Sequence, residues 1–88
     1  MDERPTGIAK DPAAILELLQ EACDLGWGVR VSYRNAKGVT SQLNVAVDDV
    51  WADSVLAEVL PSYNHRTLAL QRVQWARVLT EAEEDQLL

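Results

Sequence analysis

At Gly26-Trp27-Gly28 the hydrophobic repeat of this 88-residue chain changes from a helical to an extended period, and that change limits what it can fold into. Before it, Ile15, Leu18, Leu19, Ala22 and Leu25 recur at spacings of three and four, which places them on one face of a helix. Glu17, Gln20, Glu21 and Asp24 take the other face. Asp11-Pro12 supplies an N-cap carboxylate and then a proline, whose missing N–H is harmless in the first turn. Gly26 supplies the left-handed stop that helix ends favour. After the change, Val29, Val31 and Tyr33 alternate with Arg30, Ser32 and Arg34, as in a strand with one buried face.

Asn35-Ala36-Lys37-Gly38 reads as a turn, and alternation resumes through Val39, Ser41, Leu43, Val45 and Val47. Residues 29–47 are therefore predicted to form a hairpin. Val55–Leu60, His65–Leu70 and Val73–Leu79 supply three more strands, separated by a Pro61–Asn64 loop and a bend at Gln71-Arg72. Thr80 with Glu83 three residues on is a capping-box signature, so a short helix is expected in the acidic tail, residues 81–88. Residues 1–10 read as a flexible lead-in and residues 11–80 as a single helix-plus-sheet domain. The predicted fold is mainly β (α+β): an N-terminal helix, then a strongly bent, five-stranded antiparallel barrel of Sm-like or SH3-like form. Closure is the economical arrangement for short strands because it removes exposed edges.

Composition excludes several classes. Hydrophobic residues make up 48% and charged residues 25% of the chain, the balance of a globular domain rather than a disordered one. No apolar run approaches the roughly 20 residues of a membrane span, and the opening MDERPTGIAKDP lacks the apolar stretch of a secretory signal. The expected location is cytoplasmic, with no membrane partner. The single Cys23 excludes an internal disulfide and reads as a small, half-buried hydrophobe. Net charge is −6, yet residues 27–79 are net basic: Arg30, Arg34, Lys37, Arg66, Arg72 and Arg77 outnumber Asp48, Asp49, Asp53 and Glu58. Acidic ends around a basic middle permit a local anion site.

The helix, the segment GWGVRVSYRNAKG and the late segment HRTLALQRVQWARVL together resemble a WYL domain. Tyr33, Gly38 and the series Arg66, Leu68, Leu70, Arg72, Val73 occupy the places of that family's recurring pattern, over about residues 13–80. The third strand, Ser54-Val55-Leu56, keeps only the leucine of the naming Trp-Tyr-Leu triplet. The resemblance implies an Sm-like barrel appended to a bacterial helicase or transcription regulator, sensing single-stranded nucleic acid or a nucleotide-like ligand. No helix-turn-helix or phosphate-binding GxxxxGK segment occurs in the chain itself.

The candidate ligand-binding residues are Arg66 and Arg72, which share strand parity and could hold a phosphate between two guanidinium forks. Their structural alternative is pairing with Asp48, Asp49 or Glu58. Tyr33 is expected in the core or groove wall, with base stacking as the sharper role. Arg34 joins Arg30 and Lys37 in a basic patch on the hairpin, and Trp51 could line the groove. Trp75 is expected on an outer face, as an interface with a partner or a second copy. Lone His65 has no ligand at metal spacing, and adjacent Asp48-Asp49 would point to opposite faces, so no metal site and no cofactor is predicted. No catalytic constellation is visible. The expected function is a non-catalytic module that binds single-stranded nucleic acid or a nucleotide-like anion. The alternative is a protein-interaction or oligomerisation module, and the parent helicase or regulator is the expected partner in both.

Overall fold

The computed structural model describes residues 4–87; residues 1–3 of the expected lead-in and Leu88 of the tail lie outside them. The chain runs α1 (Pro12–Leu25), β1 (Gly28–Arg34), β2 (Thr40–Val50), β3 (Ser54–Val59), β4 (Asn64–Ala69), a 3-10 turn (Leu70–Arg72), β5 (Val73–Val78) and α2 (Glu81–Leu87). Local signals act as read. The Asp11 carboxylate accepts from the Ala13 and Ala14 N–H groups, and Gly26 ends α1 at a φ of 74°. The turn after β1 is closed by Gly38 at a φ of 83°, a conformation that excludes most side chains.

The five strands form one antiparallel sheet in the order β4-β3-β2-β1-β5. Strands β4 and β5 are its two edges and do not pair, so the sheet is not closed into a ring. Only the 3-10 turn separates them in sequence, which brings the two edges together at that corner and forces the sheet to bend. One face of the bent sheet is the core: Val29, Val31, Val45, Val55, Ala57 and Leu68 are almost fully buried. Helix α1 packs on β2 and β5 and adds Ile15, Leu19 and Ala22. Leu25, expected on that buried face, is 57% exposed. It stands in the last turn, where the left-handed Gly26 swings the chain so that Trp27 enters the core in its place.

Two bulges carry the bend. Between Ser32 and Tyr33 the β1–β5 register slips, so Ala76 faces Val31 while Val73 faces Tyr33. That extra residue lets Val73, Ala76 and Val78 all be buried although their sequence spacing is not even. A second slip between Val47 and Asp49 leaves Asp48 without a partner in β3. Such an insertion bends the strand and increases its local twist.

Both chain ends are attached to the sheet. Ala9 exchanges two backbone hydrogen bonds with Ala76, at 2.8 and 2.9 Å, along the outer side of β5. Residues read as a lead-in thus cover an edge that would otherwise present bare N–H and C=O groups. At the other end the capping box forms as predicted: Glu83 N–H donates to Thr80 Oγ1, and Thr80 N–H donates to Glu83 Oε1. Helix α2 then turns its carboxylates to the sheet. Arg77 donates to both Glu83 oxygens at 2.8 Å, and Arg30 approaches the same carboxylate at 3.2 Å. Glu84 accepts from Gly28 N–H and from Arg4. A Cβ at Gly28 would stand 2.9 Å from both Glu84 Oε2 and Leu79 Cδ1, so a larger residue would have to displace those two side-chain ends.

The hydrogen bonds from Arg77, then that from Thr80 N–H, hold the Glu83 carboxyl far below its ordinary value of 4.5. A depressed carboxyl contributes its full stabilisation above that ordinary value and loses it as pH falls below. Glu83→Gln should therefore destabilise the fold at neutral pH by about 1 kcal/mol, lowering Tm by roughly 4–8 °C. Urea denaturation of both proteins should show the difference shrinking as the pH is taken below 4.5.

Candidate functional site

Tyr33 and Arg66 are the two predicted site residues that the fold brings together. Tyr33 ends the buried row of β1 and is 6% exposed. Arg66 lies opposite Ala57 in the β3–β4 register, on the core-facing side of β4. Its guanidinium carbon stands 5.4 Å from the centroid of the Tyr33 ring, within cation–π range. The Tyr33 hydroxyl accepts a hydrogen bond of 3.0 Å from the backbone N–H of Ala69 at the end of β4. One tyrosine thus joins two strands that are not neighbours in the sheet.

This placement excludes the structural alternative for Arg66. Glu58 lies opposite His65, so strand alternation puts its carboxylate on the outer face while Arg66 points inward. The carboxylates Glu58 and Asp48 meet His65 instead, at 3.1 and 3.7 Å from Nε2. Among the described residues Lys10, Arg34, Lys37, Arg66 and Arg72 form no ion pair, whereas Arg30 and Arg77 are bridged by Glu83. The positive charge that remains unneutralised on the sheet therefore sits at the Arg34 end of β1, on β4 and on the 3-10 turn. A guanidinium lying over an aromatic ring keeps its in-plane donors for a carboxylate or phosphate.

The other predicted residues are placed less centrally. Arg72 does not continue the parity of Arg66, because β4 ends at Ala69 and Arg72 closes the 3-10 turn, half-buried. Arg34 is exposed beside the β1–β2 turn, with Nη2 3.6 Å from where a Cβ on Gly38 would be. Trp51 follows β2 and is 46% exposed. The buried Tyr33 ring, with Arg66 over it, leaves no face for a base to stack on. Trp75 is half-buried on the outer face, directly opposite Ser32, which is itself only 5% exposed.

A sizeable groove lies elsewhere. With a volume of about 790 Å³, it runs between the start of α1, the β2–β3 turn and the 3-10 turn, lined mainly by Pro12, Ile15, Leu16, Ala52, Leu70 and Val73. Its lining is mostly apolar, with Asp53, Ser54 and Gln71 as the polar members, and carries no predicted site residue. The Cys23 thiol donates weakly to the Asp48 carbonyl at 3.5 Å. Burial, then the charges of Asp24, Asp49 and Asp48, push its pKa up, which keeps it the unreactive thiol. No helix among the described residues is long and apolar enough to cross a membrane.

Residues that sequence reasoning left aside include Glu83, Arg77 and Arg30, which form a charge cluster, and the set Asp48, Glu58 and His65. The capping box pointed to Glu83; nothing local pointed to the others, which meet only through strand pairing. The sequence matches no protein-family model and no curated protein.

Tyr33→Phe removes the acceptor for the Ala69 N–H but keeps the ring beneath Arg66. It should destabilise the fold by about 1 kcal/mol in a urea titration, with an unchanged far-UV spectrum. Tyr33→Leu should cost more, since it also removes the ring and its packing.

Proposed function

We propose that this domain is a non-catalytic, WYL-like regulatory module, its bent sheet a half-closed barrel of the Sm-like kind. In this reading it belongs to a helicase or transcription regulator and binds single-stranded nucleic acid or a nucleotide-like anion. The observation that carries the proposal is Arg66: exposed, in no ion pair among the described residues, and held over Tyr33 on the concave side of the sheet. A guanidinium fixed in this way loses little freedom on meeting a phosphate. Arg72, Arg34 and Lys37 supply further positive charge for a backbone track, and exposed Trp51 supplies the stacking surface in place of Tyr33. The motif resemblance of Tyr33, Gly38, Arg66, Leu68 and Val73 supports the same reading.

The alternative, a protein-interaction or oligomerisation module, is favoured by one feature. Ile8, Leu25, Val39, Trp51 and Tyr63 are all large, apolar and at least 46% exposed. They are dispersed over the N-terminal segment, the end of α1 and three turns, however, and Trp75, the expected interface residue, is half-buried against its own sheet.

Fluorescence anisotropy with a labelled single strand of about 12 nucleotides separates the two readings. Binding should saturate at low salt and weaken as salt rises. Arg66→Ala should reduce the slope of log affinity against log salt by about 0.7, the value of one lost phosphate contact on a single strand. Absence of binding at low salt, or binding indifferent to Arg66→Ala, would remove the nucleic-acid reading and leave the docking module.

A further inference from the structure

On the outer face of β2, β3 and β4, away from Arg66, one oxygen each from Asp48 and Glu58 and one nitrogen of His65 lie within 4.8 Å of one another. We propose that these three side chains form a binding site for a zinc-class divalent cation, with a fourth coordination position open to water. This goes beyond the function proposed above and does not depend on it.

The spacing fits the ion. With metal–ligand bonds of about 2.0–2.2 Å in a tetrahedron, neighbouring donor atoms stand about 3.3–3.6 Å apart. The observed separations from His65 Nε2 are 3.1 Å to Glu58 and 3.7 Å to Asp48, so small rotations of half-exposed side chains complete the geometry. The backbone beneath is regular sheet: Glu58 and His65 are direct cross-strand partners. Asp48 enters from β2 on the same outward parity as Ala46, the cross-strand partner of Glu58.

The charge balance also calls for a cation. Two carboxylates converge on a single imidazole nitrogen, which carries at most one proton and so donates at most one hydrogen bond. Among the described residues no lysine or arginine pairs with Asp48 or Glu58. A divalent ion satisfies all three donors at once. The donor set selects its class: an imidazole with two carboxylates suits zinc, whereas magnesium and calcium take oxygen ligands.

The chain contains one histidine, which makes the test unambiguous. Zinc titrated into the whole chain should shift the imidazole proton resonances of His65 and raise Tm, and both effects should reverse with EDTA. His65→Ala, Asp48→Asn and Glu58→Gln should each weaken zinc affinity, measured by calorimetry, by at least about tenfold. All three positions are on the surface, so the variants should melt close to the parent in EDTA. A tenfold excess of magnesium should not displace the zinc. Imidazole resonances that ignore zinc, or affinity unchanged in either carboxamide variant, would overturn the proposal.

Discussion

The hydrogen bond from Ala69 N–H to the Tyr33 hydroxyl joins the far end of β1 to an edge strand three places away in the sheet. That contact exists only because the sheet is bent, and much else depends on the bend. A flat five-stranded sheet would need its whole apolar face covered, and this chain has one substantial helix. Bending folds the apolar face onto itself, so that β1, β2 and β3 and the edge residue Leu68 share a core with α1. The two bulges absorb the curvature. Tyr33 also relieves part of the β4 edge by taking up one of its N–H groups, as Ala9 does for β5.

Charge is sorted by the same geometry. The acidic C-terminal helix does not repel the domain from anions as a whole. It lies on the outer face of β1 and β5, where its Glu83 and Glu84 are paired with Arg77, Arg30 and Arg4. Formal net charge is therefore a poor guide to where an anion could approach. Glu83 and Glu84 of α2 are engaged, Asp48 and Glu58 face outward around His65, and Arg66 is left over an aromatic ring on the concave side. Local potentials of this kind, rather than the total of −6, decide what a surface attracts.

Much of the fold was legible because its signals are local. Asp11-Pro12, Gly26, the alternation of Val29, Val31 and Tyr33, and the Thr80–Glu83 box each act within a few residues, and each forms as the spacing predicts. What could not be read depends on register. Nothing in Asp48-Asp49 marks Asp48 as the residue left without a partner in β3. Arg72 looks like a partner of Arg66 until the 3-10 turn breaks the strand parity. His65 looks solitary because Glu58 and Asp48 are separated from it by seven and seventeen residues of chain and adjoin it only across strands. Residues 4–10 carry no strand pattern, and their docking follows from an open edge on β5 rather than from their own composition.

The β3–β4 register also decides whether the domain keeps an unneutralised guanidinium on its concave side. In the observed pairing, Arg66 faces Ala57 and His65 faces Glu58. Arg66 and His65 are adjacent, so they leave the backbone on opposite sides, one toward Tyr33 and one toward the outer carboxylates. A slip of one residue would exchange them. Arg66 would then lie among Glu58 and Asp48 as an ordinary surface ion pair, and the imidazole would sit over Tyr33. The slip is prevented by neighbours with no chemistry of their own: Leu68 opposite Val55, both almost fully buried, would be turned to solvent by it. Apolar burial at two positions thus keeps a guanidinium unneutralised and gathers two carboxylates around one histidine. The two candidate sites are consequences of a single pairing choice, fixed by the core between them.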